Sequence, residues 1–266
     1  MCATCGCAGD GVTIVAMHDH DHPHDHDRDH PHPHDHVHPH PVVADPPTAV
    51  VTLEQNLLAK NDLLAARNRG WFEGRGILAL NLMSSPGSGK TSLLERTIRD
   101  LSAEVEVSVV EGDQETLLDA ERIKATGCRV VQINTGSGCH LDAEMLASGL
   151  RTLAPPSQSV VFIENVGNLV CPALFDLGEQ RRVVVMSVTE GADKPLKYPH
   201  MFRTADLLVL NKLDLLPYVD FDVEQCLAYA RQIRPELPAL TVSATRGDGL
   251  DGWYDWLRGQ LPQRDG

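Results

Sequence analysis

The sequence predicts an α/β P-loop NTPase: a mainly parallel sheet with helices on both faces, preceded by a metal-ligating tail. Three features predict it. From about residue 75 short apolar runs alternate with helical segments, the pattern of repeated strand–helix units that build a parallel sheet. Ser84-Ser85-Pro86-Gly87-Ser88-Gly89-Lys90-Thr91 interrupts one such unit between strand and helix. Residues 1–50 differ in composition from everything after them.

The tail opens with Cys2-Ala3-Thr4-Cys5-Gly6-Cys7. Three thiols within six residues can close on one soft or borderline cation, and Gly6 permits the tight turn. If Met1 is removed, the α-amino group beside Cys2 offers a fourth ligand. Thiolates with an amine suit square-planar Ni(II), and tetrahedral Zn(II) is the alternative. From His18 to His40 the chain holds 11 histidines in 23 residues, with six aspartates and four prolines. Such a segment cannot bury a core and is expected to be disordered. Imidazole suits Zn, Cu, Fe and Ni alike, so the tract names no metal; its many interchangeable ligands fit storage or buffering.

A helix is expected from Thr52 to about Arg69, with Thr52 and Gln55 as a possible capping box and Leu53, Leu57 and Leu64 on one face. It forms a helical linker over 51–74, before a nucleotide domain over 75–266. The strand 77–83 then leads into Ser84–Thr91, and Ser92–Ile98 reads as a helix. In that context the loop Ser85-Pro86-Gly87-Ser88-Gly89 can turn the backbone N–H groups of its non-proline residues and of the helix start around phosphate oxygens. Lys90 adds a charge at the β/γ-phosphates, and the Thr91 hydroxyl, followed by Ser92, is placed to ligate Mg²⁺. Ser84 stands where such loops usually carry a first glycine.

Further strands are expected at 105–110, 129–133, 160–165, 182–188, 207–212 and 239–243, and a last helix from about Leu250 to Leu261. Ligands of such sheets bind beyond the carboxyl ends of the strands. Glu111-Gly112-Asp113-Gln114 is expected just after strand 105–110, where Asp113 could hold Mg²⁺ or one of its waters; Glu164 ends strand 160–165 as a second metal-facing acid. Asn211-Lys212-Leu213-Asp214 follows strand 207–212. Its aspartate can accept from both the ring N–H and the exocyclic amine of guanine, a donor pair adenine lacks, so the nucleotide is expected to be GTP. Ser243 and Ala244 fit a supporting base loop.

A third metal-type constellation joins Cys139 and His140, after strand 129–133, to Cys171, after strand 160–165. Parallel neighbours would bring them to the rim that carries the phosphate loop. Cys128 and Cys226 have no ligand-type partner nearby and read as small buried residues.

Composition limits the function. A formal charge of −14 excludes nucleic-acid binding by bulk electrostatics. No apolar run approaches the ~20 residues of a membrane span, and no signal-peptide pattern is present. Seven cysteines beside a nucleotide loop point to a reducing cytoplasm and to metal chemistry rather than disulfides.

These features together resemble the HypB family, the nickel-insertion GTPases that mature nickel–iron hydrogenase. The resemblance rests on C-x-x-C-G-C at the start, Ser84–Thr91, Glu111-Gly112-Asp113, Gly138-Cys139-His140-Leu141-Asp142, Glu164 through Cys171, Asp193-Lys194-Pro195-Leu196-Lys197-Tyr198-Pro199, and Asn211–Asp214. It covers essentially the whole chain, and the family also places serine at the position of Ser84. It implies a SIMIBI-type G domain and a tight nickel site at Cys2, Cys5 and Cys7. It also implies a second, nickel- or zinc-binding site at Cys139, His140 and Cys171. Expected partners are the hydrogenase large-subunit precursor, a HypA-type zinc protein and a second copy of the chain in a nucleotide- or metal-linked homodimer. Two other readings are a nickel storage protein with secondary GTPase activity and a urease-type nickel GTPase. The C-x-x-C-G-C start and the Gly-Cys-His-Leu-Asp loop argue against the last.

Overall fold

The computed structural model describes residues 13–16, 46–114, 118–136 and 138–262, with the backbone alone at 13–16 and 46–54. The expectations for Cys2, Cys5, Cys7 and the His18–His40 tract lie outside the described residues.

The chain runs β1 (Thr13–Ala16), α1 (Pro46–Glu73), β2 (Leu78–Ser84), α2 (Lys90–Leu101), β3 (Val107–Asp113), α3 (Leu118–Lys124), β4 (Arg129–Asn134), α4 (Ala143–Leu153), β5 (Val160–Glu164), α5 (Cys171–Leu174), β6 (Arg181–Ser187), α6 (Lys194–Lys197), α7 (Pro199–Thr204), β7 (Leu207–Asn211), a 3₁₀ turn (Leu213–Tyr218), α8 (Val223–Ile233), β8 (Ala239–Thr241) and α9 (Leu250–Gln260). The sheet order is β1-β4-β3-β5-β2-β6-β7-β8. All pairs are parallel except β1 with β4, an antiparallel edge that the sequence pattern did not announce.

The pleat divides the core. In β2, Leu78, Leu80 and Leu82 face a layer built from α2, α3 and α9, with Leu93, Leu94, Ile98, Ile123 and Trp253. Ala79 turns to the other face, beneath α1 and α4, against Phe72, Leu146 and Leu150. Met83 meets a third cluster under α7 and α8, with Phe202 and Cys226. Burial on both faces explains why the strands read as continuous apolar runs. Cys226 is buried in the core as expected, whereas Cys128 is only partly buried at the edge of the first cluster; burial pushes both thiols up to about 12.

Two expectations need correction. Strand β3 runs to Asp113, so Glu111 and Asp113 are strand residues and not part of a loop after residue 110. Helix α1 begins at Pro46, which places Thr52 inside it and removes the capping box; prolines are tolerated in a first turn. Its buried face is also different. Leu57 is 54% exposed, whereas Asn61, Ala65, Asn68 and Phe72 are buried. The asparagines go inside because they bond to loop backbone there: Asn61 Nδ2 to Asp176 O at 2.8 Å, and Asn68 Nδ2 to Ala143 O at 2.9 Å and Leu177 O at 3.0 Å. Buried loop carbonyls need donors, and leucine has none.

Trp253 ties α9 to α2: it is fully buried, and its indole N–H donates to Thr97 Oγ1 at 2.8 Å. Trp253→Ala is expected to cost ~3–5 kcal/mol by leaving a cavity and removing the donor to Thr97 Oγ1, which keeps only its bond to Leu93 O. Urea unfolding followed by circular dichroism should show a lower midpoint with an unchanged slope; a loss below about 1 kcal/mol would contradict this packing.

Candidate functional site

Three parallel strands, β3, β5 and β2, end side by side and supply the site. Register pairs Glu111 with Glu164 and Glu164 with Leu82, so the two acids leave adjacent strands in the same row. They open onto a cleft of about 460 Å³ lined by Pro86 through Ser92, Glu111 through Gln114, Asp119, Arg122, Glu164 through Gly167 and Lys212. The cleft is therefore walled by the phosphate-type loop on one side and by carboxylates on the other.

The loop has the backbone that its sequence calls for. Gly89 has φ +94°, and an added Cβ there would lie 2.5 Å from Asn211 Nδ2, so both conformation and space exclude a side chain. Lys90 is buried and donates to Ser84 Oγ at 2.7 Å. The Thr91 hydroxyl donates to Glu164 Oε1 at 2.7 Å. On the outer side Ser85 Oγ donates to Glu190 Oε2 at 2.5 Å, and Lys194 Nζ approaches Ser85 Oγ at 3.3 Å.

Both acids are buried, and among the described residues Glu111 Oε2 and Glu164 Oε2 have no hydrogen-bond partner. Burial, reinforced by the neighbouring carboxylates of Glu164 and Asp113, pushes Glu111 up to about 9. Burial also raises Glu164, against the pull of Lys90. Adjacent buried carboxylates with orphan oxygens, beside a threonine hydroxyl, form an all-oxygen donor set suited to a hard cation such as Mg²⁺. Asp113 lies in the same cleft, its Oδ1 accepting the Gln114 N–H at 2.7 Å.

The base-type loop is bolted to the phosphate-type loop. Asn211 Nδ2 donates to Ser88 O at 3.1 Å, and Lys212 Nζ donates to Gly87 O at 2.6 Å. Asn211 Oδ1 accepts the Ala244 N–H at 3.1 Å, and Ser243 Oγ donates to Asp214 Oδ1 at 2.6 Å. Asp214, Ser243 and Ala244 are thus joined to the loop through Asn211, although only Lys212 of the set lines the cleft itself.

Cys139, His140 and Cys171 come together at the same rim, with ligand atoms all within 4.8 Å of one another. Cys139 Sγ is 3.0 Å from Cys171 Sγ and 3.7 Å from His140 Nδ1. The His140 ring lies over Phe175, with centroids 3.9 Å apart. Burial lowers the His140 pKa, which favours the neutral imidazole that a metal needs. Two side chains from the segment after Glu164 reach this cluster: Asn165 Oδ1 accepts from Leu141 N at 3.2 Å, and Asn168 Nδ2 donates to Cys139 O at 3.3 Å.

The sequence reading omitted Arg122 and Asp119. Arg122 bonds Ser92 Oγ at 3.1 Å, Glu95 Oε2 at 2.5 Å and Asp119 Oδ1 at 3.1 Å, clipping α3 to α2 at the mouth of the cleft. A lone arginine on a short helix carries no sequence signal for that role.

Comparison with known proteins gives a consistent assignment. The sequence profile of the CobW/HypB/UreG nucleotide-binding domain matches residues 78–241. The hydrogenase maturation factor HypB of Rhizobium leguminosarum bv. viciae is 57% identical over 215 residues, covering 81% of this chain and 72% of that protein. HypB of Escherichia coli K12 is 56% identical over 211 residues, 79% of this chain and 73% of its own length. Among solved structures, HypB from Archaeoglobus fulgidus superposes with a TM-score of 0.72 at 43% identity, over 77% of this chain and all of that one. HypB from Helicobacter pylori, solved in complex with nickel, superposes with a TM-score of 0.70 at 37% identity, over 78% and 99%. A nucleotide-binding profile across the sheet and relatives above half identical show that this chain belongs to the HypB family.

Proposed function

We propose that the chain is a GTP-hydrolysing nickel metallochaperone that delivers nickel to the hydrogenase large-subunit precursor. The carrying observation is one rim that holds both a phosphate-type loop and a Cys–His–Cys cluster, bridged by Asn165 and Asn168. The H. pylori relative with nickel supports nickel as cargo; zinc is the competing occupant of the cluster.

In this reading Lys90 and the Gly87–Gly89 backbone hold the β- and γ-phosphates, and Asp214 reads guanine. Thr91 and Glu164, with Asp113 close by, would hold Mg²⁺, which when bound would supply positive charge to the phosphates. Asp113, which lines the cleft, would hold Mg²⁺ or one of its waters. Phosphoryl transfer needs such positioning and charge neutralisation more than covalent chemistry. The tail cysteines take up nickel, the His tract stores it, and the G-domain cluster responds to the nucleotide state. A homodimer and a HypA-type partner complete the delivery route.

Three outcomes test this. The wild type should hydrolyse GTP with Mg²⁺, and Asp214→Asn should weaken GTP and favour the xanthosine nucleotide, whose carbonyl accepts from the new amide. An unchanged preference in competition binding would sink the guanine assignment.

Metal and nucleotide should be coupled, because the segment that places Glu164 also bonds to the Cys139 loop. Nickel affinity should differ between the GDP and GTP-analogue states by a typical coupling of about 1–3 kcal/mol, and GTP affinity should change reciprocally. Cys171→Ala should abolish that difference. Equal affinities in the two nucleotide states, measured by competition titration, would refute the coupling.

Deleting residues 18–40 should lower the number of nickel ions bound with little effect on GTP turnover. Acidification through ~6.5 should release tract-bound metal, because protonated imidazole is no longer a ligand. Equal stoichiometry in the deleted and full chains, by equilibrium dialysis, would exclude storage by the tract.

A further inference from the structure

The two ligand-bearing loops of the metal cluster share a support, helix α1, whose hydrogen bonds among the described residues go to these loops and not to the residues lining the nucleotide cleft. Cys139 and His140 lead directly into α4 at Ala143, and Cys171 leads through Phe175 to Asp176, Leu177 and Gly178. Helix α1 grips both segments at once. Asn61 accepts the Ala143 N–H at 2.9 Å and donates to Asp176 O at 2.8 Å. About two turns later Asn68 donates to Ala143 O at 2.9 Å and to Leu177 O at 3.0 Å. Each asparagine therefore bridges the two loops through one buried amide. Arg69 adds a two-point contact to the Asp176 carboxylate, at 2.9 and 2.7 Å. The fit is close: a Cβ on Gly178 would lie 2.8 Å from both Arg69 N and Asn68 Cβ.

This clamp sets the distance between the ligands. Ala143 lies three residues beyond His140, and Asp176 adjoins Phe175, on which the His140 ring rests. A shift of one loop relative to the other would separate Cys171 from Cys139 and move His140 off its ring support. Partners of this kind, beyond the ligands themselves, orient a metal site and typically govern its affinity.

We infer that α1 is a positioning strut for the Cys139–His140–Cys171 site: Asn61, Asn68 and Arg69 hold its two loops at ligand spacing, so metal affinity there depends on this helix. The inference rests on the metal-binding reading of the cluster. It also gives the segment that directly follows the tail a physical route to the G-domain metal. Any event that shifts α1 would loosen or tighten that site.

The test uses the full chain carrying Cys2→Ser, Cys5→Ser and Cys7→Ser, titrated with Ni(II) alone. Thiolate-to-nickel charge-transfer absorption reports the cluster, because the His tract has no sulfur. Cys171→Ala should remove the band; if it persists, the metal-site reading itself fails. In the same background Asn61→Ala and Arg69→Gln should weaken nickel about 10–100-fold and shift the band. GDP affinity of the metal-free protein should stay that of the parent. Arg69→Gln changes a partly exposed pair and keeps the test open if Asn61→Ala does not fold. Leu63→Ala, on the exposed face of the same helix, should leave both affinities unchanged. Parent-like nickel binding in Asn61→Ala and Arg69→Gln would overturn the strut. So would a parallel fall in GDP affinity, which would make α1 a general support of the domain.

Discussion

Parallel pairing of β2 between β5 and β6 is the constraint on which the rest of this molecule depends. Leu82 lies opposite both Glu164 and Val183, so the three strands run in one parallel register, with β2 continuing to Ser84 and β6 to Ser187 beyond the end of β5. Because the pairing is parallel, three carboxyl ends face the same way, and three loops meet at one rim. The phosphate-type loop leaves β2, the acid-to-cysteine segment leaves β5, and the Glu190–Lys194 segment leaves β6. An antiparallel neighbour would have sent one of these loops to the opposite edge.

Beneath that rim a buried polar chain keeps the loops in place. Asn165 Nδ2 reaches Asn81 Oδ1 at 3.3 Å, and Asn81 Nδ2 reaches Glu179 Oε1 at 3.2 Å. Glu179 then accepts from Arg182 Nε at 2.7 Å and from Leu177 N at 2.8 Å. In a low-dielectric interior such a chain is favourable only when its members are satisfied, and it then specifies one arrangement. The chain connects the β5 loop, β2 and the loop after α5 without passing through solvent. The strand that carries the phosphate-type loop and the segment that follows Cys171 are thus joined through one buried chain of hydrogen bonds.

The site also shows how burial is turned to chemical use. Glu111 and Glu164 are held where burial disfavours their ionised forms, and the Glu164 carboxylate adds to the cost of ionising Glu111. Left alone, that arrangement is unfavourable. Facing a phosphate-type loop, it is an all-oxygen donor set whose cost of ionisation a divalent cation would relieve. The surface ion pairs, such as Lys60–Glu144 with both side chains largely exposed, contribute little by comparison.

Sequence by itself determined the sheet, the phosphate-type loop, the base-type loop and the residue types of both G-domain clusters. Those properties are local: a strand buried on both faces must be apolar throughout, and a loop that wraps its backbone around phosphate must carry glycines at fixed spacing. Tertiary structure decided what depends on neighbours distant in the chain. The Leu53, Leu57 and Leu64 pattern of α1 suggested an apolar buried face, yet the loops it meets offer carbonyls and an N–H, and Asn61 and Asn68 are buried in their place. Glu111 became a strand residue because β3 pairs with β4 through Asp113. Arg122 and Asn81 carried no signal because their partners are brought close only by packing. Cys139, His140 and Cys171 could be suspected from their residue types, but their closeness required β4, β3 and β5 to lie in one parallel register.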